Sequence, residues 1–453
     1  MTMIDIPKGL ETRICVLGKG VLREVPALAR EHWPGLKPLL VADGNTWKAA
    51  GAAVHEILRE ASIEQEEPFI FPASPTLHAD YAHVPELARR LRGTFPVAVG
   101  SGTINDLVKR ASFEAGTPGY LCVATACSVD GYTSYGAALV VEGFKKTVPC
   151  PAPLGILADS DVLATAPMDM TASGYADLCA KVVAGADWHI ADVLGETPID
   201  ERAWGMVQKK LGSWIGAPER LAAGDREALA GLFEGLAASG FAMQYYRESR
   251  PASGAEHLYS HVWEMDGLEH DGASPSHGFK VALGTLMSTR LMEMAFAMDA
   301  AEAARVCGSM PGTTVEERSR QIDGELKNSA IYDAVKEVCL GKLLIGNDLR
   351  QRRRQIAEHW DEMRGRVLRQ ILPLGEMRRR FQVMGCPVSP CQIGLDRTEL
   401  LRGIEVAAMI RRRYTILDLL FEMGLLDRMA ARLVDEMTCQ EFGESNEKTI
   451  YNR

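Results

Sequence analysis

Four of the ten histidines in this 453-residue chain lie between positions 257 and 277. Residues 249–265 read SRPASGAEHLYSHVWEM, in which Ser253 and Glu256 have the spacing of a reciprocal helix cap, so a helix is expected to begin there. His257 and His261 then stand one helical turn apart and project from one face. His277 opens a second helical stretch, SHGFKVALGTL, with Ser276 or Ser274 as its cap. Any one of these histidines alone reads as a hydrogen-bonded packing residue. Three of them near helix starts suit a divalent ion of borderline softness, zinc or nickel, completed by a carboxylate. Glu256 precedes the first histidine, so it cannot be the general base of a His-Glu-x-x-His motif. His270, between Glu269 and Asp271, is expected to face solvent. Spacing does not choose the carboxylate. Asp177 stands near the start of a long apolar helix, where an acid also answers the helix dipole.

A second segment with chemical potential is VAVGSGTIND, residues 97–106, which reads as a strand, a tight glycine turn and a helix start. Gly100 and Gly102 are expected to allow positive φ and a close approach of backbone amides to a pyrophosphate. The helix N-terminus adds free donors and partial positive charge. Asn105 stands where a GxGxxG fingerprint has its third glycine, and strand-to-helix turns also use glycine for geometry alone. The next strand runs into ATACSVDGYTSYGAAL, residues 124–139, a loop of small and hydroxyl residues with one carboxylate, Asp130. Asp130-Gly131 is by itself an ordinary turn pair. Two such loops from neighbouring strand ends would face one crevice.

Those loops need a scaffold, and the first third of the chain supplies an alternating one. Apolar runs with strand character at Ile14–Leu17, Pro38–Ala42, Phe69–Phe71, Val97–Val99 and Tyr120–Ala124 are separated by helical stretches at Leu22–Glu31, Thr46–Glu60 and Val84–Arg92. That alternation predicts βαβ units, a parallel sheet, and a binding crevice at the carboxyl ends of the strands. Beyond Pro167 the period becomes helical throughout, as in Leu178–Leu194, Lys280–Met298 and Glu399–Glu422. We therefore expect an α/β nucleotide-binding domain over 1–165 and an all-helical metal- and substrate-binding domain over 166–453. The polar residues from Gln440 onward are expected to fray.

Composition narrows the partners. A formal net charge of -10 disfavours nucleic acid and anionic lipid. The stretch Arg350–Arg380, with ten arginines against four acidic residues, is the local exception. It reads first as a solvated helical face and second as an anion site. Ten cysteines without a CxxC pair, mostly in apolar runs, suit reduced buried thiols rather than a disulfide framework. The first residues lack a signal-peptide pattern and no apolar run is long enough to span a membrane, so the expected location is cytoplasmic.

Taken together, GSGTINDLVK, TACSVDGYTSYGAAL, GYADLCAKVVAGADW, SRPASGAEHLYSHVWEM, HGFKV and IRRRYTILDLLFEMGLLD resemble the sn-glycerol-1-phosphate dehydrogenases, especially the bacterial arabinose-operon type. That family sits in the superfamily shared by glycerol dehydrogenase, iron-containing alcohol dehydrogenases and dehydroquinate synthase. The motifs occur in family order from about residue 97 to 428. The resemblance implies a two-domain dehydroquinate synthase-like fold, with an N-terminal Rossmann-like parallel sheet and a C-terminal all-α domain. It implies reduction of dihydroxyacetone phosphate to sn-glycerol 1-phosphate by NADH or NADPH, one nickel or zinc ion per subunit, and a homodimer. By motif position the ion's ligands are Asp177, His257 and His277. His261, Asp130 and Asp177 match substrate contacts. Here the resemblance departs from spacing alone, which would pair His257 with His261 on the ion. The cofactor positions map to Asp43, Gly100, Gly102, Thr103, Ile104, Asn105, Asp106, Thr125, Ala126, Cys127, Ser128 and Ser134. Cys127 replaces the family's usual small residue, and extra helical sequence around 305–380 lies outside the motifs.

Three other readings stand beside this one. A related polyol or glycerol dehydrogenase would act on an unphosphorylated substrate with the same ion and cofactor. A cyclase of the dehydroquinate synthase type would use NAD only transiently, and GSGTIND argues against it. A non-catalytic cofactor-sensing protein would not need all three presumed ligands. The phosphate-binding cations stay open, with Lys280, Arg250 and the added arginines as candidates.

Overall fold

The computed structural model describes residues 2–4, 6–141 and 144–438. The tail from Gln440, expected to fray, lies outside the described residues. Two compact units are present. One comprises residues 1–178 and 202–252, and the other residues 179–201 and 253–453. The sequence divides the chain by secondary-structure type at 165/166, whereas this division follows packing, so the two draw different lines.

The first unit is built on a sheet with strand order β1-β2-β9-β6-β5-β3-β4. Its strands are β1 (Thr2–Met3), β2 (Ile14–Gly18), β3 (Lys37–Asp43), β4 (Phe69–Phe71), β5 (Thr94–Gly100), β6 (Leu121–Ala124) and β9 (Gly155–Asp159). Only β1 runs antiparallel to its neighbour. The five runs expected as strands all lie in this sheet. Its β9 was not expected, yet it sits between β2 and β6, with Gly155 opposite both Ile14 and Leu121. A hairpin of β7 (Ala137–Val141) and β8 (Phe144–Val148) was likewise not expected.

The inner strands are fully buried: no residue of Leu39–Ala42 or Val97–Val99 is more than 1% exposed. At roughly 1.5–3 kcal/mol for each buried large aliphatic side chain, these runs are a principal source of cohesion. Trp33 stacks on Phe95 with ring centroids 3.9 Å apart, covering one face. Strand order reverses at β3/β5, because β4 leaves on one side of β3 and β5 lies on the other. Asp43 ends β3 and Gly100 ends β5, so both stand at the carboxyl side of this switch point. Helix α1 (Gly102–Ala115) starts directly from that end. Helix α2 (Met168–Val193) begins in this unit and ends in the other, and α3 (Arg226–Tyr246) returns to the first. Gln244 of α3 fastens the return, accepting the Glu11 N–H at 2.5 Å and donating to the Thr133 carbonyl at 2.9 Å.

The second unit is helical. It contains α4 (Ala255–Met265), α5 (His277–Ala295) and α6 (Ile416–Glu422). Helices α4 and α5 pack at very short range, because a Cβ on Gly284 would lie 2.4 Å from the Glu256 carbonyl oxygen. Only glycine permits that approach, and it brings the two histidine-bearing helix starts together. Among the described residues no helix is long and apolar enough to cross a membrane.

Candidate metal centre and cofactor loop

Asp187, buried on α2, organises the start of α4. Its Oδ2 accepts the Ala255 N–H at 2.7 Å, and its Oδ1 accepts the Ile416 N–H of α6, also at 2.7 Å. The expected cap at Ser253 is corrected here. Gly254 is the N-cap, and Glu256 Oε1 accepts its N–H at 2.7 Å. Ser253 is instead held by Arg413, which donates to its carbonyl at 2.7 Å and its Oγ at 2.6 Å. Ionised carboxylates are stronger acceptors than a serine hydroxyl, and two of them displace it from the helix start. At α5, Ser276 does cap, accepting the Phe279 N–H at 3.2 Å.

This scaffold sets three side chains on one point. Asp177, His257 and His277 each offer a ligand atom, and these atoms all lie within 4.8 Å of one another. Ligands at zinc-like distances in a tetrahedral array stand about 3.4 Å apart, so the set closes on an ion with small side-chain movements. Two imidazoles and a carboxylate form a donor set that zinc and nickel accept. His257 Nδ1 lies 2.8 Å from Glu256 Oε1, and His277 Nδ1 lies 3.0 Å from Glu264 Oε1. A carboxylate at Nδ1 fixes the tautomer that protonates this nitrogen and leaves the Nε2 lone pair for a metal.

Asp177 is fully buried, and its Oδ2 accepts the backbone N–H of Asp130 at 3.0 Å. That bond ties the 124–139 loop to α2. His261 lies beside the set, its ring centroid 6.3 Å from that of His257. Burial, helped by the charge of Arg411 and opposed by Glu264, holds its pKa well below the ordinary imidazole range. His261 Nδ1 is buried and meets no hydrogen-bond partner among the described residues. His270 is partly exposed and pairs with Asp271 at 3.6 Å.

The glycine turn has the expected strand-turn-helix form with a different physical reason. Neither Gly100 nor Gly102 is left-handed. Glycine is needed at 100 because a Cβ there would lie 2.6 Å from the Cβ of Ile104. Ser101 caps α1 without a side-chain hydrogen bond, and the amides of Gly102, Thr103 and Ile104 form its first turn. The side chains of Asn105 and Asp106 turn toward the neighbouring loop. Asn105 Nδ2 donates to the Gly131 carbonyl at 3.4 Å, and Asp106 accepts the Ala138 N–H at 3.3 Å. Ala126 and Cys127 are wholly buried, and burial raises the Cys127 thiol pKa far above its usual range. Thr125 and Ser128 are nearly so. Ser134 Oγ donates to the Gly131 carbonyl at 3.0 Å. Asp43 caps the short helix after β3, its Oδ1 accepting the Asn45 and Thr46 N–H groups at 2.8 and 2.9 Å.

Four further residues shape these sites without having been singled out as site residues. Lys109 is fully buried and donates to the carbonyls of Gly131, Ser134 and Gly136 at 2.9, 3.2 and 3.0 Å. Glu256 and Glu264 hold His257 and His277, and Asp187 holds the helix that carries His257. The helical spacing of Glu264, seven residues after His257, is a signal that could have marked it. The arginine-rich stretch is occupied with structure. Arg353 donates to the carbonyls of Glu422, Met310 and Pro311, Arg352 pairs with Glu196, and Arg366 with Asp192.

Comparison with known proteins bears on the fold and the family. The model for iron-containing alcohol dehydrogenases matches residues 16–167. A butanol dehydrogenase structure from Thermotoga maritima superposes with a TM-score of 0.59 at 15% identity, over 95% of this chain and 99% of the other. A probable glycerol dehydrogenase from Sinorhizobium meliloti gives 0.58 at 14%, over 93% and 98%. The fold is that of the iron-containing alcohol dehydrogenase and dehydroquinate synthase class. Within it, the glycerol-1-phosphate dehydrogenase of Geobacillus thermodenitrificans is 30% identical over 86% of this chain and 88% of its own length. Its counterpart in Halalkalibacterium halodurans is 35% identical over 61% and 69%, and that of Pyrococcus horikoshii 31% over 64% and 80%. The chain belongs to the NAD(P)-dependent glycerol-1-phosphate dehydrogenase family.

Proposed function

We propose that this enzyme catalyses the reversible reduction of dihydroxyacetone phosphate to sn-glycerol 1-phosphate with NADH or NADPH. The observation that carries the reading is the convergence of Asp177, His257 and His277, in a chain that belongs to this family. When bound, a nickel or zinc ion held by these three residues supplies Lewis acidity toward a ketone oxygen, and the nicotinamide supplies the hydride. The residues of the chain do the positioning. Glu256 and Glu264 hold the two imidazoles in one tautomer. The first turn of α1 offers its amides to the cofactor's phosphates, and Asp43 stands at the ribose end of that path. Asp130 and His261 orient substrate hydroxyls. His261 is kept neutral by its surroundings and has a ring nitrogen to spare for a hydroxyl. We further propose a homodimer, which sedimentation of the holoenzyme tests directly.

The deciding experiment follows NAD(P)H oxidation with dihydroxyacetone phosphate and with unphosphorylated dihydroxyacetone, before and after chelation and with nickel or zinc restored. Metal-dependent turnover that strongly prefers the phosphorylated ketone is expected. Equal rates on both ketones would transfer the assignment to a polyol dehydrogenase, and full turnover after complete metal removal would end the metal reading.

A further inference from the structure

The helical sequence around 305–380 places two arginines inside the second unit without an acidic partner. Arg318, on the helix Val315–Leu326, is 4% exposed, and Arg353, on the helix Gly346–Glu358, is 8% exposed. Among the described residues neither forms an ion pair. Arg318 Nε donates to Cys339 Sγ at 3.1 Å, and its terminal nitrogens donate to Gln321 Oε1 at 2.9 Å and the Ala408 carbonyl at 3.5 Å. The ring of Phe421 covers its face at 4.3 Å. Arg353 donates to the carbonyls of Glu422, Met310 and Pro311 at 2.6, 2.5 and 3.0 Å. A guanidinium has five N–H donors, so each of these two keeps donors in reserve. Neutral acceptors alone do not make up for the hydration that a buried charge loses.

Both side chains line one recess of about 20 Å³, room for a single water-sized species. The other charges around it largely cancel. Lys342 lies 2.7 Å from Asp418. Glu422 accepts the Tyr414 hydroxyl at 2.5 Å and lies 3.5 Å from Arg352, which it shares with the more exposed Glu196. Four cations thus stand against three carboxylates, and the surplus falls on Arg318 and Arg353. Burial also pushes the Glu422 carboxyl up to about 7, which thins its negative charge at neutral pH. The half-buried Thr313 adds a hydroxyl donor at the wall. Surplus positive charge around so small a space suits a monatomic anion, which is near water in size and accepts donors from any direction. A polyatomic oxyanion is too large for it.

We propose that this recess is a halide site, in which Arg318 and Arg353 hold a chloride ion. Bound there, the anion would compensate charges on two of the added helices and on the end of α6 at once, so its occupancy stabilises the second unit. None of the lining residues belongs to the ligand set or to the cofactor loop. The site therefore goes beyond the reaction proposed above and does not depend on it.

The test records Tm for wild type, Arg318→Met and Arg318→Lys while sodium chloride replaces sodium gluconate at constant ionic strength. Constant ionic strength removes general screening as a cause, and gluconate is too large to enter. Wild type should show a saturable rise of about 2–4 °C. Arg318→Met should show none, and Arg318→Lys, which keeps the charge but not the planar fork, should need about 10-fold more chloride. Chloride NMR line broadening by wild type, reversed by bromide, checks binding directly. Should Arg318→Met fail to fold, Arg318→Lys and the line broadening carry the comparison. No chloride response in wild type by either method would mean that water alone fills the recess, and would overturn the proposal. An identical response in wild type and the Arg318 variants would place the anion elsewhere, the metal centre included, and would overturn it equally.

Discussion

Glu256 Oε1 lies 2.8 Å from Nδ1 of His257 and at the same time accepts the N–H of Gly254. The carboxylate therefore fixes both the first turn of α4 and the imidazole that this turn carries. Removing the charge should loosen the imidazole and weaken its donor strength. Glu256→Gln is expected to lower nickel or zinc affinity by roughly 10–100-fold. Competition against a chromophoric chelator measures this directly, independent of turnover. Unchanged affinity would mean that Glu256 serves the helix start only.

Two histidine pairings compete for the ion, and single substitutions separate them. His257→Ala and His277→Ala should each abolish stoichiometric metal binding and turnover while the far-ultraviolet circular dichroism stays native. His261→Ala should keep the metal, because the three grouped ligand atoms do not include its nitrogens. Its loss should appear in the kinetics with substrate, at roughly 100-fold in kcat/KM, the scale of a general positioning or acid–base contribution. Metal loss in His261→Ala with retention in His277→Ala would restore the pairing that helical spacing alone suggests.

That contest shows which parts of the molecule were legible in its sequence. The strands at Ile14, Pro38, Val97 and Tyr120 were legible because parallel strands buried on both faces leave unbroken apolar runs, whereas the edge strand at Phe69, with Ile70 exposed, was legible from its aromatic and β-branched residues. Strand β9 was passed over because GILAD is short and flows into a helical stretch, so its apolar residues read as part of a linker. Periodicity showed helices beyond Pro167, yet it could not say that residues 202–252 pack with the first unit. Bonds such as Gln244 to Thr133 join residues far apart in sequence and leave no periodic mark. The histidines stood out by clustering. Asp177 did not, since its distance from His257 is set by tertiary packing, and its assignment came through resemblance. Lys109 was hidden for a related reason, because its hydrogen-bond partners belong to a loop whose path only the fold defines.

Lys109 offers a separate test of that loop. Its ammonium group replaces water for three buried carbonyls and lies 3.3 Å from Asp106. Lys109→Met has nearly the same length but leaves those acceptors and the carboxylate without it. The expected loss is ~3 kcal/mol of stability, a Tm lower by roughly 5–10 °C. KM for both cofactor and substrate should rise together, since the 131–136 segment is the one released. An unaltered Tm would show that water replaces the ammonium group without cost.

His189, on the part of α2 that belongs to the second unit, makes a prediction in pH. Burial first, and then the charge of Arg366, lower its pKa from 6.5 to about 4. The native state thus holds this imidazole neutral, while the unfolded chain protonates it as pH falls below 6.5. Unfolding takes up a proton across that window, so this contribution to stability is complete above pH 6.5 and is lost progressively as pH falls toward 4. With allowance for partial solvent screening, the loss is on the order of 2 kcal/mol. His189→Gln cannot take up that proton. Urea unfolding midpoints measured from pH 7.5 to about 4.5 should therefore fall less steeply for His189→Gln than for wild type. Parallel curves for the two proteins would mean that His189 titrates alike in the folded and unfolded chain.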